Sequence, residues 1–208
     1  MSNTVNVLDL DTDAVKYLCN SDRKLSDVIN RVGKIEYMTA DDPYVFLLEH
    51  IIGQMLSNKV ADLICGRLYD LCGSISPESI ESLTDEELLS VGISRPKIRY
   101  IRSLTEVITS KGFNFEELQV LNDEDVIRKL TSLRGIGAWT AKMYLIFFLD
   151  RKDVLPYEDG AFLQAYKWLY DTDDISRESI IHRCKNWKPY SSIAARYMYK
   201  ALDSGLMK

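Results

Sequence analysis

The apolar residues of this chain recur at the spacing of a helix face, and no segment alternates apolar with polar residues for long enough to make a half-buried strand. Behind Pro43, a residue suited to a first helical turn, Tyr44, Leu47, Leu48, Ile51 and Met55 fall on one stripe, which predicts about four turns of buried helix. Thr84 and Glu87 have the spacing of a capping box. Pro96 opens a stretch in which Ile98, Ile101, Leu104 and Ile108 share a face up to Gly112. Asn122 reads as the cap of a helix that carries Val126 and Leu130 into Gly135-Ile136-Gly137. Residues 138–149 are apolar on most sides and read as one deeply buried helix. Helical patterns resume beyond Pro156 over residues 160–170, 176–184 and 190–202. The expected fold class is all-α.

A chain of 208 residues, 46% of them apolar, can bury a core of one domain or two small ones. No stretch reaches the roughly 18 uninterrupted apolar residues of a membrane span. Residues 1–12 lack the basic start and apolar run of a leader, so a cytoplasmic protein with no membrane partner is expected. Cys19, Cys65, Cys72 and Cys184 stand far apart without a CxxC pair, which predicts core thiols rather than a zinc site or a disulfide framework. The net charge of -5 weighs against nucleic acid, because phosphate contacts usually come from a basic surface. The cations are nevertheless grouped, with Arg95, Lys97, Arg99 and Arg102 close together and Lys142, Arg151 and Lys152 in a second group, so a local basic face is compatible with the total.

The run Leu130-Thr131-Ser132-Leu133-Arg134-Gly135-Ile136-Gly137-Ala138-Trp139-Thr140-Ala141 is the most informative in the chain. Two glycines remove side chains where a phosphate has to approach backbone, and the helix that follows offers N–H groups and a positive dipole end. A plain helix–helix turn uses glycine pairs as well.

The wider pattern resembles the helix-hairpin-helix DNA glycosylase superfamily, in particular its 3-methyladenine DNA glycosylase II branch of bacteria and yeast. The likeness runs through Ile52-Gly53-Gln54-Met55-Leu56-Ser57, Gly92-Ile93-Ser94-Arg95-Pro96-Lys97, the Gly135 hairpin, Asp153-Val154-Leu155-Pro156 with Glu158-Asp159, and Trp187-Lys188-Pro189-Tyr190-Ser191-Ser192, all in the family's order. It implies a compact protein of two helical subdomains, residues 43–150 and a discontinuous second one of residues 1–42 plus 151–208, with Asp159 in the cleft between them. Residues 13–36 resemble the leading helices of the compact yeast-like members. The approximately forty residues before Pro43 are too few for the extra mixed domain of the bacterial enzyme.

The resemblance makes Asp159 the catalytic residue, with Glu158 in a less critical neighbouring place. Breaking an N-glycosidic bond builds positive charge on the sugar, and a carboxylate held against C1′ stabilises it. An aspartate there also serves as an ordinary helix cap. Relatives that cut the DNA backbone place a lysine where this chain has Trp139, which cannot form a Schiff base but can stack on an extruded base, so the implied enzyme is monofunctional. Tyr199 and Tyr144 are candidate pocket residues, and Met143 departs from the tyrosine of the bacterial enzyme. For all these aromatics, and for Trp139, core packing is the alternative. Met55, from the Gln54-Met55-Leu56 segment, is the candidate wedge that fills the gap left by a flipped base, with helix core as its rival role. Gly135, Gly137 and Lys142 are expected to anchor one DNA strand, and Ser94 and Lys97 to make a second backbone contact.

The carbonyls of Thr131, Leu133 and Ile136 match those that hold a structural monovalent cation in relatives. No other cofactor is implied, and an iron–sulfur cluster is not, since no cysteine follows Cys184. His50 and His182 read as structural. The expected partner is double-stranded DNA containing damaged bases, bound by a monomer. A glycosylase for oxidised or deaminated bases, and a noncatalytic DNA-binding module, use the same scaffold.

Overall fold

The structure is a computed structural model that describes residues 5–207. The first four positions of the amino-terminal segment read above for a leader therefore lie outside the described residues. The chain divides into two compact units, one made of Met1–Thr39 with Asp150–Lys208 and the other of Ala40–Leu149. Among the described residues no helix is long and apolar enough to cross a membrane.

The first unit begins with β1 (Asn6–Leu8), α1 (Asp13–Ser21), α2 (Arg23–Val32) and β2 (Ile35–Tyr37). The strands pair antiparallel with Asn6 opposite Tyr37 and Leu8 opposite Ile35. The described chain is otherwise helical, as the sequence predicts, and this small sheet escapes the sequence pattern because three-residue strands are too short to show alternation.

The second unit starts with α3 (Pro43–Gly53), whose cap Asp42 accepts from the amides of Tyr44 and Val45 at 2.8 and 3.0 Å. Next come α4 (Asn58–Cys72), α5 (Pro77–Ser82) and α6 (Asp85–Ser90), the last opened by the Thr84–Glu87 capping box. Then α7 (Arg95–Thr109), α8 (Glu117–Val120), α9 (Asp123–Thr131), capped by Asn122, and α10 (Ala138–Met143) complete its α-helices. The single helix expected over residues 138–149 instead passes from α10 into a π-helical turn, Tyr144–Phe148. Arg102, one of the cations grouped in the sequence, is engaged within the second unit. Its guanidinium donates to the carbonyls of Ile80 (2.7 Å) and Leu83 and to Asp85, satisfying the carboxyl-terminal end of α5 while Arg95 and Arg99 stay exposed.

The chain returns to the first unit for α11 (Gly160–Tyr170), α12 (Arg177–Arg183) and α13 (Ser191–Asp203). Its core joins Val15, Leu18, Leu25 and Ile29 of the leading helices to Phe162, Tyr166, Trp187 and Tyr197. Asp22 ties this core together. It caps α2 by accepting from the Leu25 amide at 3.1 Å, and it also accepts from Trp187 Nε1 at 3.0 Å and from the Tyr170 hydroxyl. Of the four thiols only Cys184 is buried, which pushes its pKa up. Cys19, Cys65 and Cys72 are half-buried rather than core residues.

Candidate active site

In the second unit the hairpin turn joins α9 to α10, and its two glycines are there for different reasons. Gly135 has φ +88°, and a Cβ placed on it would lie 2.4 Å from Cγ of Tyr100 on α7. Both the backbone conformation and the packing exclude a side chain there. Gly137 is extended, with φ -98° and ψ 177°, and a Cβ on it would meet nothing within 4 Å. The chain itself does not require glycine at 137. The position is exposed, and no side chain caps the helix that begins after it, so the bare backbone is open to a ligand. Within the turn the Ile136 amide donates to the Leu133 carbonyl at 3.1 Å, while the side chains of Leu133 and Ile136 are buried.

The Gln54 segment is fastened to this turn, because Gln54 Nε2 donates to the Gly135 carbonyl at 2.9 Å. Met55 follows with φ 59° and its side chain fully exposed, at 101% of its reference area. This corrects the expectation that the α3 stripe runs on to Met55: the helix ends at Gly53, and Met55 has no part in the core. The Lys97 ammonium helps to end the helix there by donating to the carbonyls of Ile52 and Gln54 at 2.7 and 2.8 Å. Lys97, expected to contact DNA directly, therefore spends two of its donors holding the Met55 turn, and burial lowers its pKa. Ser94 precedes α7, is exposed and makes no side-chain cap bond.

Other expected residues separate by burial. Lys142, expected to anchor a DNA strand, is only 7% exposed. Met143 (4% exposed) and Tyr144 (0%) are buried as well. The Tyr144 ring stacks on Phe148 with centroids 4.5 Å apart and meets Phe46 edge-on at 5.6 Å, so it is engaged in aromatic packing rather than presenting a face. Trp139 is half-buried and stands 5.9 Å from the ring of His50. His50 in turn stacks on Phe46 at 4.0 Å. Nothing local in the sequence connects His50 with Trp139, because the contact is tertiary.

In the first unit Asp159 is the N-cap of α11, and its Oδ1 accepts from the Phe162 amide at 2.8 Å. The cap occupies one carboxylate oxygen. Asp159 is half-buried, whereas Glu158 is exposed. Tyr199, on α13, stands by this carboxylate. Burial and the neighbouring Asp159 charge hold its phenol well above the ordinary tyrosine range, so it stays protonated. The segment leading to Asp159 is pinned to the start of α13. Asp153 accepts from the amide and hydroxyl of Ser191 at 3.3 and 2.5 Å, and the Val154 amide donates to the Ser192 hydroxyl at 2.9 Å. Two sequence motifs that are distant along the chain thus form one support for the segment that carries the carboxylate.

No group of three or more His, Cys, Asp or Glu side chains converges as metal ligands among the described residues. Thr131, expected with Leu133 and Ile136 to offer a carbonyl to a monovalent cation, is the last residue of α9, and the other two lie in the turn after it, where the Leu133 carbonyl accepts from the Ile136 amide.

Residues 48–189 match the family model of the HhH-GPD superfamily of base excision DNA repair proteins. The chain is 29% identical over 197 residues to DNA-3-methyladenine glycosylase 1 of Schizosaccharomyces pombe, covering 91% of this chain and 86% of that protein. Among solved structures, the DNA-3-methyladenine glycosidase of Bacillus halodurans superposes with a TM-score of 0.82 at 34% identity, over 98% of this chain and 95% of that one. A 3-methyladenine DNA glycosylase of Schizosaccharomyces pombe in complex with abasic DNA gives a TM-score of 0.79 at 28% identity, over 92% and 97%.

Proposed function

The chain belongs to the HhH-GPD superfamily of base excision DNA repair proteins, and from that premise we propose that it flips alkylated purines of the 3-methyladenine type out of duplex DNA and hydrolyses their N-glycosidic bond. The observation that carries the catalytic assignment is the setting of Asp159, a half-buried carboxylate fixed by its cap bond, braced through Asp153 and Val154, and set beside a protonated phenol. As the base departs with the bonding electron pair, positive charge spreads over C1′ and the ring oxygen, and the Asp159 carboxylate stabilises it. Water then supplies the new C1′–O bond and its proton is released. An alkylated purine already carries the positive charge, so it leaves neutral without a general acid.

Trp139 stacks on the extruded base, with Tyr199 beside the carboxylate. Met55, exposed on a turn held by Gln54 and Lys97, fills the vacated stack. The Gly137 backbone receives a phosphate, the Ser94 hydroxyl contacts the backbone a second time, and the carbonyls of Thr131, Leu133 and Ile136 hold a monovalent cation that keeps the turn in shape. The protein acts as a monomer.

With Trp139 in place of an amine, the reaction stops at the abasic site. Incubation with methylated, hypoxanthine-containing and oxidised duplexes, followed by alkaline cleavage of abasic sites, tests the reading. Product is expected from methylated DNA. Product from oxidised or deaminated bases alone would replace the substrate class, and product from none would leave a binding module. Borohydride is expected to trap no covalent complex, and a trapped complex would refute the monofunctional assignment.

A further inference from the structure

His50 has no part in the activity proposed above, yet it stands beside the aromatic ring assigned to the extruded base. Its imidazole lies 4.0 Å from the Phe46 ring at 24° and 5.9 Å from Trp139 at 45°. Nδ1 is 2.8 Å from the Phe46 carbonyl, one turn back in α3. A carbonyl can only accept, so Nδ1 carries the proton, and in the neutral ring the lone pair is at Nε2. Burial favours that neutral form by lowering the imidazole pKa, with the Phe46 carbonyl opposing the shift. The result is a fixed tautomer held between a stacking platform and Trp139.

We infer that His50 sets specificity for charge on the base, its Nε2 lone pair favouring a cationic alkylated purine on Trp139 over a neutral purine lesion. This rests on the excision reading and on the stacking role of Trp139. The negative end of the imidazole dipole attracts positive charge in the same sense as the indole face does, so the two reinforce each other for a cation and give a neutral base only dispersion. A residue that merely packed against Trp139 would affect both kinds of base alike.

The test is single-turnover excision of 7-methylguanine, which is cationic, and of hypoxanthine, which is neutral, by wild type, His50→Phe and His50→Gln. Phenylalanine keeps a flat ring on Phe46 but has no lone pair, and glutamine returns a neutral acceptor. In His50→Phe the ratio of cationic to neutral excision is expected to fall about tenfold, with most of it restored in His50→Gln. Equal losses on both bases, an unchanged ratio, or a fall that glutamine does not reverse would each overturn the inference. Nitrogen-15 NMR of the intact protein should find His50 Nε2 unprotonated, and a proton there would also overturn it. Wild-type protein that excised neither base would refute the excision reading and this inference together. Wild-type excision with an unaltered ratio in His50→Phe would refute this inference alone.

Discussion

Replacing Asp159 by asparagine separates the two jobs its carboxylate does at the head of α11. Asparagine caps as well as aspartate, and its side-chain oxygen can accept from the Phe162 amide as Oδ1 does at 2.8 Å, so that bond survives. What stability is lost is the charge at the helix start, about 0.3–1 kcal/mol. Chemistry depends on the charge itself. Removing one preorganised electrostatic group from a transition state costs about 2.7–4 kcal/mol, which is 10²–10³ in rate. The replaced group here is a full charge at a half-buried position beside a protonated phenol, so the upper part of that range is expected. Single-turnover excision of 7-methylguanine should therefore fall by about a thousandfold, while the thermal midpoint moves by only a few degrees. Affinity for an abasic duplex should hold or rise, with one negative charge fewer facing phosphate. Excision within about tenfold of wild type, or 1.4 kcal/mol, would refute the assignment and reduce Asp159 to a cap.

The glycines of the hairpin should divide in the same way. Gly135→Ala puts a Cβ against Tyr100 at positive φ and should cost about 2–4 kcal/mol in thermal unfolding, whereas Gly137→Ala should cost under about 1 kcal/mol and act instead on affinity for abasic DNA in a gel shift. Met55→Ala should leave denaturant stability within about 0.5 kcal/mol and slow single-turnover excision, and a large loss of stability would return Met55 to the core. Asp22→Ala removes the acceptor for Trp187, Tyr170 and the Leu25 amide at once, and urea unfolding should show a loss of about 3–5 kcal/mol.

What could be read from sequence was local or motif-bound. Caps such as Thr84 with Glu87 and Asn122 announce helix starts within three residues, and the spacing of Gly135 and Gly137 marks a turn. The Asp159 cap was legible from the pattern after it, and the family motif offers the same residue as the catalytic group. The misreadings arise where distant residues decide the outcome. Periodicity carries the α3 stripe to Met55, but the helix stops at Gly53, and the turn beyond is held by Lys97 from α7 and by the Gly135 carbonyl. Lysine is normally a surface residue, and the burial of Lys142, expected to anchor a DNA strand, is a tertiary fact.

The hairpin shows how physical necessity and ligand demand can be told apart in one motif. A glycine that fold geometry requires is explained once its φ and its Cβ contacts are known, and Gly135 is fully explained by +88° and Tyr100. Gly137 has neither cause, since its backbone suits any residue and a methyl group would stand in open space. Glycine there gives the unfolded chain extra entropy, which folding loses for no return inside the protein. A reason for it must come from outside the chain, from something that approaches the exposed backbone more closely than a side chain allows. A phosphate received at the head of α10, as proposed, is such a thing, and on that proposal Gly137 serves DNA binding while Gly135 serves folding.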